Sequence, residues 1–146
     1  MTRVDEMMNR QVVTVTPEMT LAETVKVFTE NRVGGAPVID KDRRVVGMIS
    51  ELQLLDVVFD LEARDMPVSA YMAPNVQCVL PSDSLAHVGQ MFALYSFRRL
   101  PVVEDDRLVG VVTRRDLMNY ALASGQKLAE PLFELIPDLA EVTWSP

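Results

Sequence analysis

The stretch GVVTRRDL, Gly110 to Leu117, places a hydroxyl, two guanidinium groups and a carboxylate on consecutive residues: Thr113, Arg114, Arg115 and Asp116. β-Branched valines precede Thr113 and a helix-forming run follows it, so the threonine stands where a strand gives way to a helix. The first N–H groups of a helix have no partner within it, and together with the helix dipole they attract anions, phosphate among them. Arginine forks beside them suit the same guest. A carboxylate one turn into the helix can accept from both hydroxyls of a ribose, in charge-assisted bonds about twice as strong as neutral ones.

Part of this pattern needs no ligand. The Thr113 oxygen can accept from the Asp116 amide while the carboxylate reaches back, a cap worth about 1–2 kcal/mol. The earlier stretch GMISELQL, Gly47 to Leu54, repeats the rhythm with Ser50 and Gln53 in those places. Glutamine also serves as the third residue of a cap, but it offers one uncharged acceptor oxygen. Glu51, at the place of Arg114, repels an anion. Capping therefore does not distinguish the two stretches, whereas ligand chemistry makes the later one competent and the earlier one degenerate. For Arg114 and Arg115 the plain alternative is a solvated helix face.

The two stretches belong to a longer repeat. At an offset of 64, Val4 overlies Val68, Met8 overlies Met72, Val15 overlies Val79, Pro17 overlies Pro81, Phe28 overlies Phe92 and Pro37 overlies Pro101. One residue then drops out between IDKDRRVVG (39–47) and VEDDRLVG (103–110), and Gly47 meets Gly110 at an offset of 63. A polar hairpin turn between two apolar runs tolerates such a change. Each unit reads as strand, helix, strand, strand, helix. VVTVT (12–16) and VQCVL (76–80) are β-branched runs stopped by proline. Thr20 with Glu23, and Ser84, cap helices striped by Leu21, Val25 and Phe28 and by Leu85, Val88 and Phe92. Two strands follow around a charged turn, then a second helix from about Glu51 to Phe59 and from about Arg114 to Ala123.

This order, the proline-centred second strand and the Gly-x-x-Thr-x-x-Asp turn resemble the CBS domain over residues 4–122, and two in tandem resemble a Bateman module. The resemblance implies an α/β (α+β) fold of two β-α-β-β-α repeats related by a pseudo-two-fold axis. Their bounds are 1–61 and 62–123, with 124–146 as an apolar tail on the module or on a dimer interface. It also implies a regulatory, non-enzymatic module that binds an adenosine-containing ligand (AMP, ADP, ATP or S-adenosylmethionine) between the repeats. Carried over, Thr113, Arg114, Arg115 and Asp116 face Val13, Thr14, Val33 and Gly34 in one cleft. Ser50 and Gln53 face Cys78, Phe97 and Arg98 in the other, where bulk replaces the small pair Val33–Gly34. Turn chemistry after a helix is the alternative reason for the glycines. The family further implies a homodimer and an effector protein of unknown identity. A ligand-free oligomerisation scaffold is the competing function. No residue pattern decides whether Mg²⁺ accompanies the ligand.

The bulk composition fits this reading. The chain has 146 residues, 49% of them hydrophobic and 24% charged, and a net charge of −7. An acidic chain without a basic stripe argues against nucleic acid and against an anionic membrane. The single cysteine, Cys78, sits in an apolar run and reads as core, and the single histidine, His87, has no metal-ligating neighbour in sequence. No partnered nucleophile or acid pair is legible. Without a signal core or a run of transmembrane length, a cytoplasmic location is expected.

Overall fold

The computed structural model describes residues 2–125, so the reading of the tail from Gln126 to Pro146 lies outside the described residues. The first copy runs through helix α1 (Leu21–Asn31), strands β1 (Gly35–Ile39) and β2 (Val45–Ser50), and short helices α2 (Glu51–Leu54) and α3 (Asp56–Phe59). The second copy runs through α4 (Leu85–Leu94), β3 (Arg99–Glu104), β4 (Arg107–Thr113) and α5 (Arg114–Ser124). Each copy thus contributes one antiparallel two-stranded sheet, β1 with β2 and β3 with β4.

The caps are local and form as expected: Thr20 Oγ1 accepts from the Glu23 N–H and Ser84 Oγ from the His87 N–H, each at 3.1 Å. The dropped residue falls in the hairpin turn. Asp105 and Asp106 both take left-handed φ, 51° and 63°, which closes β3–β4 in two residues. The β1–β2 turn is longer and is tied by Asp40 Oδ1, which accepts from the N–H groups of Asp42 and Arg44.

Two expectations need correcting, and one alternative reading does not hold. The runs 12–16 and 76–80 are extended but are not full strands. Each makes a single parallel bridge, Val15 to Val38 and Val79 to Val102. Pro17 and Pro81 follow two residues later and cannot extend a ladder, since proline has no N–H to donate. The helix expected from Glu51 to Phe59 breaks at Leu55. There the Val58 N–H bonds the carbonyl three residues back, at 2.9 Å, instead of four. Glycine does not end α1. Arg32 takes the left-handed position, with φ 54° and ψ 45°, and its N–H returns to the Phe28 carbonyl.

Packing crosses between the copies. Val4 and Met8 are buried with Val79, Leu85, Val88, Phe92, Leu100, Val102 and Val112 in one core. Val68, with Met72 against it, packs with Val15, Leu21, Phe28, Val38, Ile49 and Leu54 in the other. The leader of each copy therefore completes the other copy's core. This explains the glycine that opens both repeated turns. A Cβ on Gly47 would lie 2.5 Å from Met72 Sδ, and one on Gly110 would lie 2.8 Å from Met8 Sδ and 3.0 Å from the Asn9 carbonyl oxygen. Only a residue without a side chain lets the crossing leader bridge there, Asn9 to Val111 and Ala73 to Met48.

Candidate functional site

The site is built on the junction of β4 and α5. The β3–β4 register sets Arg99 opposite Thr113, and α5 begins at the next residue. Thr113 Oγ1 accepts from the Asp116 N–H at 3.0 Å, and the Thr113 N–H donates to Asp116 Oδ2 at 3.4 Å. That second bond is long, and Oδ1 has no hydrogen bond among the described residues. In the first copy the single Gln53 acceptor, Oε1, receives both the Ser50 N–H, at 2.8 Å, and the Ser50 hydroxyl. The glutamine oxygen is spent on its own cap, while the aspartate keeps acceptor capacity to spare.

A cleft of about 930 Å³ opens between the copies at the Asp116 turn. It is lined by Thr113, Arg114, Arg115 and Asp116 from the second copy and by Val12, Val13, Val33 and Gly34 from the first. Phe92 and Ala93 of α4 supply apolar wall. The volume lies within the range of small-molecule sites, roughly 300–1,000 Å³. Of the residues grouped in sequence for this cleft, Thr14 does not line it. Of those grouped for the opposite cleft, Ser50, Gln53, Cys78 and Phe97 lie off this one, but Arg98 lines it. Phe97 packs against the second core, with its ring centroid 5.4 Å from that of Tyr95. Cys78 is half-buried, which pushes its thiol pKa up.

Sequence reasoning missed Arg32 and Arg99, both on the cleft wall. The Arg99 guanidinium lies over Gly35, in the volume a Cβ there would occupy, and Nη2 stands 3.7 Å from where a Cβ on Gly34 would lie. Burial pushes the Arg99 pKa down, Arg98 adds to that, and Glu51 opposes it. The signal was present: at the offset of 64, Arg98 and Arg99 overlie Gly34 and Gly35, so one copy supplies the space that the other fills. Gly34 itself is not crowded, since an added Cβ would meet its nearest atoms at 3.5 Å. Among the described residues, no group of three or more His, Cys, Asp or Glu side chains could hold a metal ion.

The comparisons agree with this architecture. The family model of the CBS domain matches residues 4–60 and 68–123. A 17.7 kDa protein of Acidianus ambivalens is 32% identical over 122 residues, covering 83% of this chain and 74% of its own length. Protein MJ1225 of Methanocaldococcus jannaschii is 29% identical over 115 residues, and there the chain spans 41% of the relative's length. Among solved structures, the CBS-pair protein CBSX2 of Arabidopsis thaliana, in complex with AMP, superposes with a TM-score of 0.79 at 27% identity. That match covers 86% of this chain and all of CBSX2. Two matched repeats, two cores completed by exchanged leaders and the superposition together establish that the chain belongs to the CBS domain family, as a tandem pair.

Proposed function

We propose that this chain is a regulatory module that binds an adenosine-containing ligand in the cleft between its copies. One observation carries the reading: Asp116, with an oxygen that has no hydrogen bond among the described residues, sits on the same 930 Å³ cleft as apolar Val13 and Val33 and the side-chain-free Gly34. A carboxylate for the ribose diol, amides at the start of α5 with arginines for phosphate, and the Val13 and Val33 side chains for a base are the three parts such a ligand needs. The AMP held by CBSX2 supports an adenosine ligand here by likeness.

We further infer one competent site. Gln53 carries no charge, and its acceptor is already occupied by Ser50. Ligation then acts by shifting the geometry between the copies, and with it a contact to a second copy or an effector protein. Exposed apolar side chains on α2 and α3 (Leu52, Val58 and Phe59) and on α5 (Met118 and Leu122) support a homodimer formed through the helices. No described helix is long and apolar enough to cross a membrane, and we assign the module to the cytoplasm.

Calorimetry with AMP, ADP, ATP and S-adenosylmethionine tests the proposal. Heat and a thermal shift with at least one of them are expected. Silence across the panel favours the scaffold reading, which the complete cap on Thr113 permits because it satisfies the turn without a ligand.

A further inference from the structure

The cleft carries an unbalanced charge. Arg32, Arg98, Arg99, Arg114 and Arg115 line it against one carboxylate, Asp116, a local balance of +4 on a chain whose net charge is −7. Ion pairs among the described residues join Arg3 to Asp5, Lys26 to Glu30 and Arg64 to Asp65, so none of the five guanidinium groups is in one there. Gathered cations repel one another, weakly at the solvent-exposed Arg32, Arg98, Arg114 and Arg115 and more strongly at the half-buried Arg99. Arg99 is the least favourably placed. It is half-buried beside Arg98, and it keeps that position only because Gly35 leaves room for its guanidinium. Among the described residues Glu51 offsets Arg99 in part, and an anionic guest would balance the rest of the cluster.

We propose that this cleft selects a polyanionic adenosine ligand, a nucleoside di- or triphosphate, and rejects adenosine compounds that are neutral or cationic beyond the ribose. This rests on the reading of Asp116 as the ribose anchor. A single phosphate brings about −1.5 to −2 near pH 7, at most half of the local balance, and each further phosphate closes the gap. Arginine forks match phosphate oxygens two at a time. A sulfonium standing where the phosphates would go meets the arginines' like charge. The pair Arg98–Arg99 is the specificity element, because these side chains stand where the other copy has glycines.

Calorimetry on the full chain in low salt, with adenosine, AMP, ADP, ATP, S-adenosylmethionine and inorganic tripolyphosphate, tests this. The expected result is affinity rising at least about tenfold from AMP to ATP, with adenosine and S-adenosylmethionine at least about a hundredfold weaker than ATP. Affinity for ATP should also fall as salt rises. Arg98→Gln with Arg99→Gln should bring ATP down to the level of AMP and abolish tripolyphosphate binding. Gly35→Ala, which displaces the Arg99 head without removing its charge, should give a smaller loss of the same kind. AMP or S-adenosylmethionine binding as tightly as ATP would overturn the charge selection while leaving the adenosine site in place. Tripolyphosphate binding that disappears in the double variant, with no adenosine compound binding, would support the anion seat and sink the ribose reading instead. Silence with every probe overturns both.

Discussion

Replacing Asp116 by alanine separates the two duties of this side chain. As a cap it supplies one long hydrogen bond to the Thr113 N–H, at 3.4 Å, so its loss should cost about 1 kcal/mol or less of stability. As a ribose anchor it would accept two hydroxyl donors, each bond to a charged acceptor being worth about 1.5–3 kcal/mol. Removing the carboxylate also leaves the five arginines with no acid among the lining residues, which attracts phosphate more strongly and offsets part of the loss. A net loss of about 2–3 kcal/mol, roughly 30- to 150-fold in Kd, is the expected outcome. Gln53→Ala is the matched control, because Gln53 makes the equivalent cap bond at 2.8 Å. It should lower the melting temperature at least as much and change nucleotide affinity less than about twofold. Titration calorimetry with AMP and with ATP, alongside thermal melting, reads both quantities on each variant. Equal affinity losses in the two variants, or no loss in Asp116→Ala, would refute the assignment of a sugar-binding role to this carboxylate.

Other outcomes follow from the crossed packing and the cleft. Gly110→Ala should destabilise the fold by about 1–3 kcal/mol in urea unfolding, since its Cβ meets Met8 and the Asn9 backbone; Gly34→Ala should be nearly silent. Val4→Ala and Val68→Ala, both fully buried in the opposite copy's core, should each cost about 2–3 kcal/mol; a negligible cost for either would contradict the exchange of leaders. Burial raises the Cys78 pKa, so its alkylation by iodoacetamide at pH 8 should be slower than that of the unfolded chain. By linkage, the unfolded chain releases this proton first, so the contribution of Cys78 to stability is present below its ordinary value of 9.0 and falls as pH rises beyond it.

What the sequence disclosed was mostly local or repeated. The caps on Thr20, Ser84 and Thr113 are legible because each needs only residues three apart. The indel falls in a hairpin turn because turn length is free where the strands are not. The exchange of leaders was not legible: nothing near Val4 says that its partners are Val79 and Leu85, dozens of residues away. The same holds for Gly47 and Gly110, whose repetition was plain while the methionines that require it lay in another part of the chain. The strands expected at 12–16 and 76–80 failed because β-branched composition records a fit to a pleated surface and not the number of partners available. For the cleft, Thr113 to Asp116 were readable from one turn. Arg99 was not, because its role depends on a glycine in the other copy that only the folded arrangement brings beneath it.

A crystal structure of the full chain grown with ATP bears most directly on the central claim. Density is expected in the cleft beside Asp116, with the ribose hydroxyls on the carboxylate, the base between Val13 and Gly34, and the phosphates among Arg98, Arg99 and Arg114. An empty cleft at saturating nucleotide, or density lodged only beside Gln53, would contradict it.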